Sequence, residues 1–102
     1  MKKLASAWQL PAISNLETTK LMRIEFENPT NGRWYTISIT ADLFGSVILT
    51  RMRGGAGRSG ISVGEYHPSL MAALAEARAI KRTRLKNGYL VTFSEIALDK
   101  AA

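Results

Sequence analysis

Residues 51–60 read RMRGGAGRSG, three arginines and four glycines in ten positions. Within the stretch, Gly55, Gly57 and Gly60 spell GxGxxG, the spacing with which a glycine turn delivers a pyrophosphate to the N-terminus of the helix that follows it. The next residues deny that chemistry. ISVGEYH alternates apolar and polar side chains as a strand does, so no helix terminus faces the turn. A P-loop is excluded as well, because Gly60 is followed by Ile61 and Ser62 rather than by Lys and Ser or Thr. What remains is charge. Arg51, Arg53 and Arg58 form one acid-free cluster, and Arg78, Lys81, Arg82, Arg84 and Lys86 form a second. These eight residues, out of fourteen Lys and Arg, suit a polyanion such as nucleic acid. The competing reading of the second cluster is a solvated helix face, since Arg78, Arg82 and Lys86 recur every four residues.

Other chemistry lacks its parts. His67 is the sole histidine and cysteine is absent, so no thiolate zinc site, disulfide or cysteine nucleophile can form. Glu65 and Glu76 are isolated, Glu25 and Glu27 share one strand face, and there is no GxSxG nucleophile turn. The expectation is a protein without catalytic residues, metal or cofactor, in which His67 is a surface or capping residue. Trp34 falls among polar residues of its strand and is a candidate aromatic platform for stacking, the competing reading being edge packing under the N-terminal arm.

These residues need elements to hold them. In KLMRIEFE, Met22, Ile24 and Phe26 alternate with Arg23, Glu25 and Glu27, which predicts a strand with one apolar face. NPTNG is dense in turn formers, and RWYTISIT alternates again with Tyr35, Ile37 and Ile39 facing inward, so the two runs make a hairpin. After the short connection ADLFGS, SVILTRM is a third strand, and ISVGEYH is a fourth with Ile61, Val63 and Glu65 on one side. Pro68 suits the first position of a helix whose buried stripe is Leu70, Ala73, Leu74, Ala77 and Ile80. Asn87 and Gly88 stop it, basic residues crowd its last turns, YLVTF is a fifth strand, and SEIALDKAA is a partly helical tail.

The division expected is an arm over residues 1–19, one domain over 20–93 and a tail over 94–102. A length of 102 residues suits one domain, and 46% apolar with 22% charged residues is a globular composition. No apolar run approaches the roughly 20 residues needed to cross a bilayer. The opening MKKLASAWQLPAI begins with charge as signal peptides do, but Gln9 and Pro11 interrupt its apolar stretch, so the expected location is the cytoplasm and no membrane partner is expected. The fold class is α+β: an antiparallel sheet of about four to five strands with one helix packed across it.

In this order of elements, RWYTISITADLFGSVILTRMRGGAGRSG followed by PSLMAALAEARAIKRTRLKNGY resembles the WGR domain over about residues 20–91. The match is carried by the aromatic pair Trp34 and Tyr35, the DLFG turn at Asp42 to Gly45, the strand end Thr50 and Arg51, the glycine-rich loop, and a helix entered by PSL and closed by Asn87, Gly88 and Tyr89. The resemblance implies DNA contact, because in poly(ADP-ribose) polymerases this domain binds DNA near a break through the Trp and Arg of its name. Here the signature itself departs: Arg53 stands at the Trp position and Gly55 at the Arg position, while Gly54, Gly57 and Gly60 keep the glycines. Arg53 is then left to stack its guanidinium plane and Arg58 to supply the missing charge.

The expected function is a non-catalytic, basic, WGR-like module binding nucleic acid, DNA rather than RNA, through Arg51, Arg53, Arg58, Arg78, Lys81, Arg82, Arg84 and Lys86. The alternative is a protein-interaction or homodimer module using an open sheet edge or the arm around Trp8.

Overall fold

The computed structural model describes residues 18–55, 57 and 60–97; Trp8, Arg58 and the last five residues lie outside them. Five strands, β1 (Thr18–Glu27), β2 (Trp34–Asp42), β3 (Val47–Gly54), β4 (Ile61–His67) and β5 (Leu90–Ile96), form one sheet in the order β4-β3-β2-β1-β5. Every neighbouring pair is antiparallel. The first four strands meander, and helix α1 (Leu70–Lys86) then crosses the sheet and returns the chain to the free edge of β1 as β5. The α+β expectation is met.

The register explains the core. Met22 sits opposite Ile39 and Ile39 opposite Leu49, Ile24 opposite Ile37, and Phe26 opposite Tyr35, so one face carries a continuous apolar block. α1 covers it with Ala73, Ala77 and Ile80, all buried. Alanines at 73 and 77 leave the helix backbone free to approach closely, and the long side chains come from the strands. Leu70 and Leu74 flank this stripe, partly buried.

Local chemistry moves several boundaries from their expected places. The helix begins at Leu70 rather than Pro68, because Ser69 is the N-cap and its Oγ accepts from the Ala72 N–H at 3.1 Å. His67 is therefore neither a cap nor an open surface residue: it ends β4, half-buried, with Nε2 buried and without a partner among the described residues. Thr18 and Thr19 belong to β1 rather than to an arm. Ser94, Glu95 and Ile96 belong to β5 rather than to a tail, held by pairing with Ile24, Arg23 and Met22. No described helix is long and apolar enough to cross a membrane.

Candidate functional site

On β3 the helix-facing side changes character along its length. Val47 and Leu49 are core, but the next two residues on that side are Arg51 and Arg53, aligned opposite Ile37 and Tyr35. The apolar block thus ends in charge towards the β1–β2 turn, where a cleft of about 630 Å³ opens. Its walls are Arg53 and Tyr35 from the sheet, Asn31 and Arg33 from the β1–β2 turn, and Arg84 and Tyr89 from the end of α1.

Each wall has a local cause. At the turn, Asn28 is buried: its Oδ1 accepts from Thr30 N at 2.9 Å and its backbone N–H donates to Arg33 O at 2.8 Å. Gly32, at φ +74°, closes the reversal and places Arg33 just before β2. The Asn28 side-chain amide also donates to Asn87 O at 3.4 Å, joining the turn to the helix cap. At the helix end, Gly88 adopts φ +93°, and the chain folds back so that Tyr89 N donates to Arg84 O at 3.0 Å.

That reversal sets Tyr89 edge-on to Tyr35, with ring centroids 6.4 Å apart. The Arg84 guanidinium covers both rings, at 4.8 Å from the Tyr35 centroid and 5.4 Å from that of Tyr89. Its Nε is buried with no hydrogen-bond partner among the described residues. Arg84 is distinct from its basic neighbours because it lies four residues beyond Ile80, on the continuation of the buried stripe. Arg78, Lys81, Arg82 and Lys86 are exposed on the remaining helix surface.

The expected arginines therefore separate. Arg51 is neutralised: its Nη2 donates to Glu65 Oε2 at 3.0 Å across the β3–β4 pair. Arg53 and Arg84 enter the cleft. Arg58 lies outside the described residues. Among the described residues, neither Arg33, Arg53 nor Arg84 has a carboxylate partner, the ion pairs being Arg51 with Glu65 and Arg23 with Glu25. The cleft thus gathers three guanidiniums without a described carboxylate partner, of which Arg84 is the one that covers aromatic rings.

Trp34 also lines the cleft, although it alternates to the opposite side of β2 from Tyr35. Its indole rests over Gly54, its cross-strand partner, and over Gly60 on the adjoining strand end. A Cβ at Gly54 would stand 2.6 Å from Trp34 Cζ2, and one at Gly60 would stand 2.9 Å from Cη2. The loop glycines thus have separate purposes: Gly54 and Gly60 make room for Trp34, and Gly57, at φ +74°, turns the chain. Gly55 meets neither demand, its added Cβ finding only Arg33 Cγ at 3.7 Å. Trp34 is half-buried, with one side of its ring committed to this glycine floor.

Sequence reasoning passed over Arg33 and Tyr89 as site residues. Arg33 comes to the cleft through the β2–β3 register, which continues from Trp34 opposite Gly54 to bring Arg33 beside Gly55. Tyr89 comes through the left-handed Gly88, a signal visible in the sequence as NGY after a helix. Compared with protein-family models, with curated proteins and with solved structures, the chain matches none.

Proposed function

We propose that this chain is a non-catalytic nucleic-acid-binding module, DNA preferred over RNA, and that Arg33, Arg53 and Arg84 are its principal phosphate contacts. The observation that carries the reading is the convergence of these three arginines, from the turn, the sheet and the helix end, on one cleft without a described carboxylate. A net charge of +6 adds long-range attraction, and exposed Arg78, Lys81, Arg82 and Lys86 supply further weak contacts from the helix. The resemblance to the WGR domain supports the same reading, with the cleft arginines taking over from the two departed signature residues.

Binding is then electrostatic and weakens with salt, with a log-log slope of about −0.9 per phosphate contacted on duplex DNA. An Arg33→Ala/Arg53→Ala double variant flattens that slope by about two contacts while leaving the circular dichroism spectrum unchanged, since both side chains are exposed. Undetectable binding to duplex, nicked and single-stranded DNA and to RNA at low salt overturns the proposal.

A second reading, self-assembly, is favoured by the β4 edge. This strand runs in register through seven pairs with β3 and carries no Lys, Pro or bulge, and its Ile61, Val63 and Tyr66 are exposed. The β5 edge differs, being interrupted by a register shift opposite Glu25 and Phe26. Sedimentation showing a dimer that survives high salt would favour this reading.

A further inference from the structure

The cleft is chemically graded from one end to the other. Its turn side carries Asn31 and Arg33, both exposed and polar. Its β4 side carries Ile61, and an adjoining hollow of about 170 Å³ shares Tyr35, Arg53 and Ile61 with it and adds Arg51 and Val63. Ile61 and Val63 are 55% and 47% exposed although both point to the helix-covered side of the sheet. Folding leaves these two apolar side chains uncovered beside a phosphate site.

A phosphate ion fills only a small part of 630 Å³, which lies within the about 300–1,000 Å³ of ordinary small-molecule sites. Duplex DNA presents phosphates and base edges, and keeps the flat faces of its bases stacked on one another. It neutralises the arginines and leaves Ile61 and Val63 bare. A nucleotide whose base is unpaired matches both ends of the cleft at once. Its phosphate meets the cleft arginines, Arg33 and Arg53 foremost, and its flat apolar ring covers Ile61 and Val63.

We infer that the cleft holds one unpaired nucleotide of a nucleic-acid strand, phosphate at the Arg33 and Arg53 end and base against Ile61 and Val63. This rests on the nucleic-acid reading above and specifies the form of nucleic acid the site selects. It assigns Ile61 and Val63 as specificity residues that act on the base and leave the phosphate contacts alone.

The test compares a short labelled single strand with the matching duplex by fluorescence polarisation at one salt concentration. Competition by a nucleoside monophosphate, inorganic phosphate and the unphosphorylated nucleoside accompanies it. The single strand is expected to bind about tenfold more tightly than the duplex, the worth of one stacked base. The nucleoside monophosphate should displace it at lower concentration than either phosphate or nucleoside.

An Ile61→Ser/Val63→Ser variant, altered only at exposed positions, should lose the tenfold preference and keep the salt slope. Equal binding of strand and duplex by the native chain overturns the unpaired nucleotide and leaves the nucleic-acid reading standing. Absence of binding to both overturns the two together. A double-serine variant that binds strand and duplex as before but changes from dimer to monomer in sedimentation assigns the apolar pair to self-assembly and overturns the inference. A monophosphate that binds as tightly as the strand makes the ligand a free nucleotide and overturns it equally.

Discussion

At one end of the sheet the β2–β3 turn is fastened by Asp42, whose Oδ1 accepts from the Phe44 and Ser46 N–H groups at 2.9 Å each. Gly45, at φ +82°, completes that turn, and the strands entering it carry the buried Ile39, Val47 and Leu49. At the other end, β3 and β4 part around glycines, and the side chains facing the helix there are Arg51, Arg53 and Ile61. Both ends belong to the same strands and share one antiparallel ladder. The difference teaches that stability and charge are segregated along β3: burial anchors its first half, and its second half is released to present arginine.

Leu49→Ala and Arg53→Ala test that segregation most sharply, being two substitutions on one face of one strand. Leu49 is fully buried, so its truncation is expected to cost about 2–5 kcal/mol in urea unfolding. Arg53→Ala is expected to stay within about 0.5 kcal/mol while weakening nucleic-acid binding. Similar losses of stability from the two substitutions break the comparison.

Gly54→Ala against Gly55→Ala separates a glycine that packing requires from one that nothing requires at the charged end. The first drives a methyl group into the Trp34 indole and is expected to cost about 1–3 kcal/mol. In a Trp8→Phe background it also shifts Trp34 emission towards that of a solvated indole. The second meets only ordinary contact with Arg33 Cγ at 3.7 Å and has no positive φ, and is expected to be silent in both measurements. A silent Gly54→Ala means that Trp34 does not depend on its glycine floor.

Glu65→Ala tests the ion pair that separates Arg51 from the cleft arginines. Arg51 and Glu65 are each about a third or more exposed, and loss of their pair is expected to cost under about 1 kcal/mol. Freed from its carboxylate, Arg51 joins the cleft arginines, and the salt dependence of binding steepens by about one phosphate contact. An unchanged slope confines the binding surface to the three cleft arginines.

The elements legible in the sequence were those decided by a single buried face. Alternation in Met22, Ile24 and Phe26, and in Tyr35, Ile37 and Ile39, foretold both strands and their inward sides, because one sheet face is covered by α1. The end of β5 was not legible: SEI carries no strand signal strong enough to outweigh a tail, and its conformation is set by pairing with a strand some seventy residues earlier. At the helix start the sequence reading rested on Pro68, and the Ser69 hydroxyl cap prevails because it satisfies a backbone donor.

The site was legible in its charge and not in its convergence. Arg53 and Arg84 were visible as basic residues, but Arg84 was grouped with Arg82 and the rest of its cluster, and only its packing over Tyr35 and Tyr89 sets it apart. Arg33 and Tyr89 join them through a hairpin register and a helix cap, neither of which any short stretch displays. The silencing of Arg51 by Glu65 is likewise a cross-strand event.

The indole of Trp34 also fixes which positions of RMRGGAGRSG are free to vary. Gly54 and Gly60 are dictated from behind by a residue twenty positions upstream, whereas Gly55 is constrained by neither contact nor backbone angle. Among the described residues between those two glycines, Gly57 is held by its left-handed angle and Gly55 is the exchangeable position, bounded by fixed mounting points on the sheet. Related chains built on this plan are expected to vary at position 55, to keep glycine at 57, and to preserve the indole with its two glycines as a unit. A protein engineer seeking a site for a grafted recognition loop would cut at the same two positions.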